Sequence, residues 1–434
     1  MWPYLPELMS RPVPRYTSYP PATAFSDSVG ERDQLEALNA VRSGDLVSLY
    51  AHIPYCRSIC WYCGCNTGAA SKAHRLTSYL EALEHEITLV AKILGGRAKI
   101  SRIAFGGGSP NAIDPLAFVR LVDRMTTMFS AGAPENSVEI DPRAFSLEWA
   151  MTLAVAQVSR VSFGVQSFDP GIQAAIGRIQ PVDMIETCMN ALRARGVRGI
   201  NFDLMYGLPT QTIASLDSTL DDVVRLRPNR IALFGYAHLP SMFPRQRRID
   251  TAALPDNRAR FEQAAHGYER LVAEGYRPIG FDHFALPDDP MAIAADKGLV
   301  RRNFQGFTDD PAETVIGMGA SAISMFPHLI IQNEKNAGVY RDQCSQSRLS
   351  GNRGIHRCKG DQQRAKIIEN LLCSGRASIG QGWPKQVQQA LSDYQQMGLV
   401  NMAEGEIAIS DDALPYARHV AAVFDEKLAL AKSY

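Results

Sequence analysis

Residues 46–65 read LVSLYAHIPYCRSICWYCGC. The first eight are a short, mostly apolar run that stops at Pro54. Proline lacks an amide hydrogen and restrains the residue before it, so 46–53 reads as a strand ending there. Four of the eight cysteines follow at once: Cys56, Cys60, Cys63 and Cys65. A loop leaving the C-terminal end of a strand is where α/β proteins gather their active sites. The spacing is Cys-x3-Cys-x2-Cys-x-Cys. Three thiolates, Cys56, Cys60 and Cys63, can hold three corners of a cubane iron–sulfur cluster, leaving one iron open for a small molecule. Structural zinc prefers two Cys-x2-Cys pairs separated by a longer stretch. Cys63 and Cys65 are too close for both to bind one metal easily. Iron–sulfur is therefore the favoured reading, with zinc or a redox dithiol as alternatives and the role of Cys65 open.

Downstream of this loop the same unit recurs. A helix follows, with apolar residues at Leu76, Leu80, Leu83, Ile87, Val90 and Leu94, three or four apart. Strands are expected at 101–106, 137–141, 160–165, 199–207 and 230–236. Helices are expected at 115–129, up to about Ala156, and at 182–195, 213–226 and 257–274. Six β–α alternations call for parallel strands with crossover helices. A full eightfold barrel needs two more such units. RPIGFDHF (277–284) could add one strand, but there the regular pattern ends. The expected fold is an α/β partial (β/α)6 barrel of six strands, open on one side.

The flanks differ. RPVPRYTSYPPA, within an arm of residues 1–45, is proline-rich and extended. The barrel spans 46–290. Residues 291–344 look irregular and form a connecting segment over the barrel mouth. Residues 345–434 read as a mainly helical C-terminal domain, with helices at 361–373 and 384–397 and short strands at LVNM and EIAIS, resembling a winged helix.

The bulk numbers are those of an ordinary globular protein: 434 residues, 46% hydrophobic, 21% charged and a formal net charge of +0. That balance argues against a general nucleic-acid or membrane-surface binder. The N-terminal MWPYLPELMS lacks a signal-peptide pattern, and no stretch approaches the roughly 20 apolar residues of a membrane span. The expectation is a cytoplasmic monomer with reduced thiols. Cys188, Cys344, Cys358 and Cys373 are scattered and read as small hydrophobes.

FGGGSP (105–110) comes one β–α unit after the cysteine loop. Glycines there would let backbone groups approach a ligand. With the cysteine spacing, this pattern resembles the radical S-adenosylmethionine (SAM) superfamily. Its open iron binds the amino and carboxylate groups of SAM, and its reduced cluster splits SAM to give a 5'-deoxyadenosyl radical. The glycine run looks like the superfamily's GGE-type motif. PRYTSYP, LYAHIPYC, the CxxxCxxCGCN run, VEIDPR, SFGVQSF, NFDLMYGLP, YAHLP, GFDHFALPDD, RRNFQGF and GMGASAIS, in that order, resemble oxygen-independent coproporphyrinogen III oxidase. The nearest family usually has threonine where this chain has Ser109; serine keeps the hydroxyl. DQQRAKIIENLLC (361–373) follows the family's paired basic residues only loosely.

The resemblance implies one [4Fe–4S] cluster on Cys56, Cys60 and Cys63, and two SAM molecules. It places Tyr50, Gly107, Glu139 and Ile323 beside the first SAM. It places Tyr62, Gly108, Ser109, Gln166, Arg178, Asp203 and Ala237 at the second. Glu139, Gln166 and Asp203 also fall at expected strand ends, where carboxylates can accept from ribose hydroxyls or the SAM ammonium. Arg178 could pair with a SAM carboxylate. The substrate implied is coproporphyrinogen III, whose ring A and B propionates become vinyls, with an unidentified electron donor and acceptor. Its propionates call for cations, for which PRQRR (244–248) and RRNF (301–304) are candidates. His52 and His238 read as core histidines and His283 as a substrate-side group. A haem chaperone or a radical SAM methyltransferase on the same scaffold are the alternatives. Such chaperones typically lack the residue at Cys65 and the PRYTSYP arm, and this chain has both.

Overall fold

The computed structural model describes residues 2–70 and 73–431. The chain packs as two compact units, neither continuous in sequence. The larger comprises Ser26–Leu254 and Ala312–His356; the smaller comprises residues up to Phe25, Pro255–Pro311, and residues from Arg357 on.

In the larger unit the expected alternation is present. Strand β1 is Leu46–Ile53, β2 Lys99–Gly107, β3 Glu135–Ile140, β4 Val158–Gln166, β5 Gly199–Tyr206 and β6 Arg230–Gly235. They lie side by side in that order, each parallel to the next. Their crossovers include α2 (Ala73–Leu94), α3 (Pro115–Met128), α4 (Leu147–Val155), α5 (Val182–Arg193) and α6 (Ile213–Leu226). A further helix, α1 (Glu31–Asn39), precedes β1, where the sequence suggested only an arm. Helix starts follow local chemistry. Asp114 and Ser146 accept the exposed amides of Ala117 and Trp149. Inward faces then recur at helical spacing: Phe118, Leu121, Val122 and Met125 on α3 are all buried.

The strand count differs from a six-stranded barrel. On the other side of β1 the sheet continues through β7 (Thr314–Met318), β8 (Ile323–Phe326), β9 (Leu329–Asn333) and β10 (Gly351–His356). β7 runs parallel to β1, with Val47 opposite Thr314 and Ala51 opposite Met318. The next three return antiparallel. The region that looked irregular is therefore a meander, broken by glycines into strands too short to show a period. RPIGFDHF forms two short antiparallel strands, Arg277–Ile279 and His283–Ala285, around a positive-φ Gly280.

The smaller unit has its own core. Tyr16 and Tyr19 of the proline-rich arm are buried with Phe261, Ile367, Leu371, Leu391, Ile407, Tyr416 and Phe424. Its helices include Asn257–Ala273, Lys359–Ser374 and Lys385–Gln396. Three short strands, Arg376–Ser378, Glu406–Ile409 and Val400–Ala403, pair antiparallel in that order. Among the described residues no helix is long and apolar enough to cross a membrane.

Candidate active site

The cysteine loop leaves the C-terminal end of β1 and is held by neighbouring strand ends. Cys60 is buried, and its sulfur accepts from two guanidiniums, Arg143 Nη2 and Arg178 Nη1, each at 3.2 Å. Arg143 follows β3. It also donates to Asp141 Oδ2 at 2.7 Å and to the Ser58 carbonyl at 3.1 Å. Arg178 follows β4 and is fixed by the Gly164 carbonyl at 2.8 Å. Two cations on one sulfur suit a ligand that carries negative charge when it binds metal. Cys56 accepts from the Thr67 hydroxyl, and burial pushes its pKa up to about 11. The Cys65 amide donates to the Cys63 sulfur at 3.4 Å. Hydrogen bonding from the Cys65 thiol draws Cys63 down to about 6 and drives Cys65 up. No three His, Cys, Asp or Glu side chains among the described residues converge on a single ion position. Three thiols that each take a different iron of a cubane need no such convergence.

The glycine run lies at the end of β2, where each glycine meets a close neighbour on the side its Cβ would take. A Cβ on Gly106 would lie 2.8 Å from the Glu139 carboxyl, and one on Gly107 2.5 Å from the His52 ring. One on Gly108 would lie 2.6 Å from the Tyr55 carbonyl oxygen, next to Cys56. Gly107 also has φ +111°, a conformation that disfavours any other residue. Glycine is thus demanded by contact with neighbouring strands at Gly106 and Gly107, and with the start of the cysteine loop at Gly108. Gly108 and Ser109 donate their amides to the Ile53 and Tyr55 carbonyls at 2.9 and 2.8 Å. The Ser109 side chain is buried and turned to Asn111, which spans to Asp141. Gly108→Ala has no side chain to displace, only the Tyr55 backbone. We expect it to lower cluster content after reconstitution to a small fraction of wild type, read as iron and sulfide per chain.

Strand ends carry the remaining groups. Glu139, on β3, accepts from the Gly107 amide at 3.1 Å. It is accessible to solvent although much of the surrounding volume is protein. Burial raises its pKa to about 7, assisted by the Asp203 charge. Asp203, on β5, accepts from Ser162 at 3.0 Å and from Asn201 at 2.9 Å. Gln166 ends β4 at φ +67°, and its buried Oε1 has no hydrogen-bond partner. A strained residue with an unmet buried acceptor is a recurrent mark of a ligand position. The Tyr50 hydroxyl lies 3.1 Å from His52 Nδ1, and Ser321 lies 3.4 Å from His52 Nε2. Burial lowers His52 to about 4, so it is neutral at pH 7. Ile323 begins β8, two residues after Ser321.

The segment PRQRR is less a solvated face than a brace. Arg248 stacks on Trp61 at 4.9 Å, and Arg245 donates to the Thr67 carbonyl. Buried Gln246 joins the Tyr62 and Ala237 carbonyls at 2.8 and 3.2 Å. His238 is half-buried and hydrogen-bonded to Tyr236 and Thr251. Every residue expected at the cluster and at both SAM positions falls in the larger unit; His283 and RRNF fall in the smaller. Sequence reasoning missed Arg143, Asp141, Gln246 and Trp61. The first two lie inside VEIDPR at a strand end, a position that signals function in this fold.

The site is therefore a three-thiol loop beside a glycine cradle and a solvent-accessible carboxylate, with an unmet buried acceptor at Gln166. These features fit a cluster with a small polar cofactor beside it. A family model described as the Radical SAM superfamily matches residues 50–223. An oxygen-independent coproporphyrinogen III oxidase of Bradyrhizobium diazoefficiens is 40% identical over 426 residues, covering 96% of this chain and 95% of the relative. One from Escherichia coli K12 is 36% identical, covering 96% and 93%. The solved coproporphyrinogen III oxidase of Escherichia coli, described as a Radical SAM enzyme, superposes with a TM-score of 0.91 at 34% identity, covering 95% of this chain and 97% of that one. The chain belongs to the oxygen-independent coproporphyrinogen III oxidase family of radical SAM enzymes. A [4Fe–4S] cluster and SAM come with that class.

Proposed function

We propose that this chain is a radical SAM oxidoreductase of porphyrin biosynthesis. It converts coproporphyrinogen III to protoporphyrinogen IX without oxygen, turning the propionates of rings A and B into vinyls with loss of two CO2. The observation that carries this is identity of 36–40% to curated oxidases across nearly the whole chain, on a fold that retains the three-thiol loop. The cofactors, when bound, supply a carbon radical able to remove hydrogen from an unactivated C–H bond.

The protein's part is to hold, orient and shield. Cys56, Cys60 and Cys63 hold the cluster, with Arg143 and Arg178 fixing the Cys60 sulfur. Tyr50, Gly107, Glu139 and Ile323 border one SAM. Tyr62, Gly108, Ser109, Gln166, Arg178, Asp203 and Ala237 border a second, whose unpaired acceptor is Gln166 Oε1. Two cofactor molecules suit a reaction performed twice on one substrate. An electron donor and an acceptor complete the cycle, and we take the protein to act as a cytoplasmic monomer.

The test is anaerobic reconstitution followed by CO2 and vinyl-product analysis with coproporphyrinogen III. SAM cleavage without CO2 release would overturn the proposal. Glu139 adds a pH signature. Its ionised form is the stronger acceptor for ribose hydroxyls and alone pairs with the SAM ammonium as a charge, and that form predominates above about pH 7. SAM affinity should fall as pH drops through 7, by up to about tenfold per unit. Glu139→Gln should bind weakly and without that step, as measured by equilibrium dialysis.

A further inference from the structure

One cation beside the cysteine loop has a donor to spare. Residues 243–248 follow that loop contact by contact, and both stretches belong to the larger unit. Phe243 packs on Gly64, where a Cβ would lie 3.2 Å from its ring. Gln246 donates to the Tyr62 carbonyl at 2.8 Å, and Arg248 stacks on Trp61 at 4.9 Å. Arg245 comes between them in sequence and donates through Nη2 to the Thr67 carbonyl at 3.3 Å. Thr67 in turn gives its hydroxyl to the Cys56 sulfur at 3.5 Å. The other terminal nitrogen of Arg245, Nη1, is buried and has no hydrogen-bond partner among the described residues.

Guanidinium carries donors only, so Nη1 calls for an acceptor. Protein atoms cover it, which keeps a carboxylate arriving through solvent away from it. The acceptor must then come from the protein. The loop sulfurs are the nearby groups that change character, because a thiol becomes a thiolate when it binds metal. Cys60 already has Arg143 and Arg178, and Cys56 has Thr67. The Cys63 sulfur accepts the Cys65 amide at 3.4 Å. Arg245 is the cation whose charge acts most on Cys63, ahead of Arg178. A structural role explains the bond to Thr67. It does not explain a buried donor left over at this corner of the loop.

We infer that Arg245 is a positioning residue for the Cys63 corner of the cluster: Nη1 turns to the Cys63 sulfur once metal makes it anionic, and the buried charge raises the potential at which the cluster is reduced. This rests on the reading of Cys63 as a cluster ligand. The test uses the full-length protein, reconstituted anaerobically without SAM, and a redox titration followed by electron paramagnetic resonance. Arg245→Gln can still donate to the Thr67 carbonyl but lacks the charge. It should take up as much iron as wild type and be reduced about tenfold less readily, a fall of about 59 mV for one electron. Arg245→Lys, which keeps the charge and loses the fork, should recover most of that difference. Should Arg245→Gln hold less iron than wild type, Arg245→Met, with no amide to bury, carries the same titration. A wild-type potential in the Gln or Met variant at full iron overturns the inference. Weaker SAM binding as the sole defect overturns it too, and would give Arg245 to the SAM carboxylate. Wild-type protein that assembles no [4Fe–4S] cluster overturns the ligand reading instead.

Discussion

Cys63→Ser protein, reconstituted anaerobically with iron and sulfide, is expected to lose the cubane, whereas Cys65→Ser keeps most of the iron. A [4Fe–4S] centre holds about four irons per chain, so the contrast is readable by iron assay and by the visible absorption of the cluster. The two residues differ in what they give the site. Cys63 is the third thiol of the Cys-x3-Cys-x2-Cys spacing, and its sulfur accepts the Cys65 amide. Cys65 is free of any disulfide, exposed, and contributes its backbone amide to that sulfur at 3.4 Å. Serine keeps the amide. Equal iron loss in both variants would make Cys65 a ligand and close the open iron.

Glu86→Gln is expected to destabilise the larger unit by about 3 kcal/mol or more. The Glu86 carboxylate is buried within α2 and accepts four hydrogen bonds. Asn333 Nδ2 and the Ser350 hydroxyl reach Oε1 at 2.8 and 2.9 Å; the Gly319 amide and the Tyr340 hydroxyl reach Oε2 at 2.6 and 2.7 Å. Burial pushes its pKa up while the four donors oppose that. An amide places two hydrogens where two donors already point. About two turns earlier on the same helix, Tyr79 donates to the His52 carbonyl at 2.7 Å and accepts from the Ala320 amide at 2.9 Å. Together these fasten the β7–β8 turn against the end of β1, beside His52. Thermal melting of the metal-free chain should show the loss. SAM affinity should fall with it, because Ser321 and Ile323 lie on that turn and just after it. An unchanged melting curve would mean that the amide is accommodated and the network is not a fastening.

Glu86 also shows where sequence stops being informative. The α2 stripe was legible from Leu83, Ile87, Val90 and Leu94. It assigned Leu80 to the buried face, where Tyr79 lies, and it passed over a glutamate within the stripe. A Glu three residues from Leu83 and next to Ile87 was the available signal. Its partners stand more than 230 positions away, and nothing local names them. The six β–α units were readable because each combines a short apolar run, a glycine or proline stop and a helical period. Strands β7 to β10 were not, because Gly317, Gly319 and Gly351 interrupt them and pairing alone defines them. The cysteine loop was readable from spacing. Its grip by Arg143 was not, since an arginine after a strand has no fixed destination until the sheet sets β3 one strand away from β1, across β2.

The interleaving of the two units sets the order in which the chain can be finished. β1 is among the first strands made, yet its second neighbour, β7, emerges only after residue 313. In between, the ribosome delivers a segment that belongs to the other unit. Until then β1 carries a row of unpaired amides and carbonyls next to the future metal loop, an edge of the kind that recruits other chains. A polypeptide ending near residue 290 would carry all the named cysteine ligands and keep that edge for good. Loss of the last third of the chain should therefore appear as aggregation before it appears as failure to bind metal.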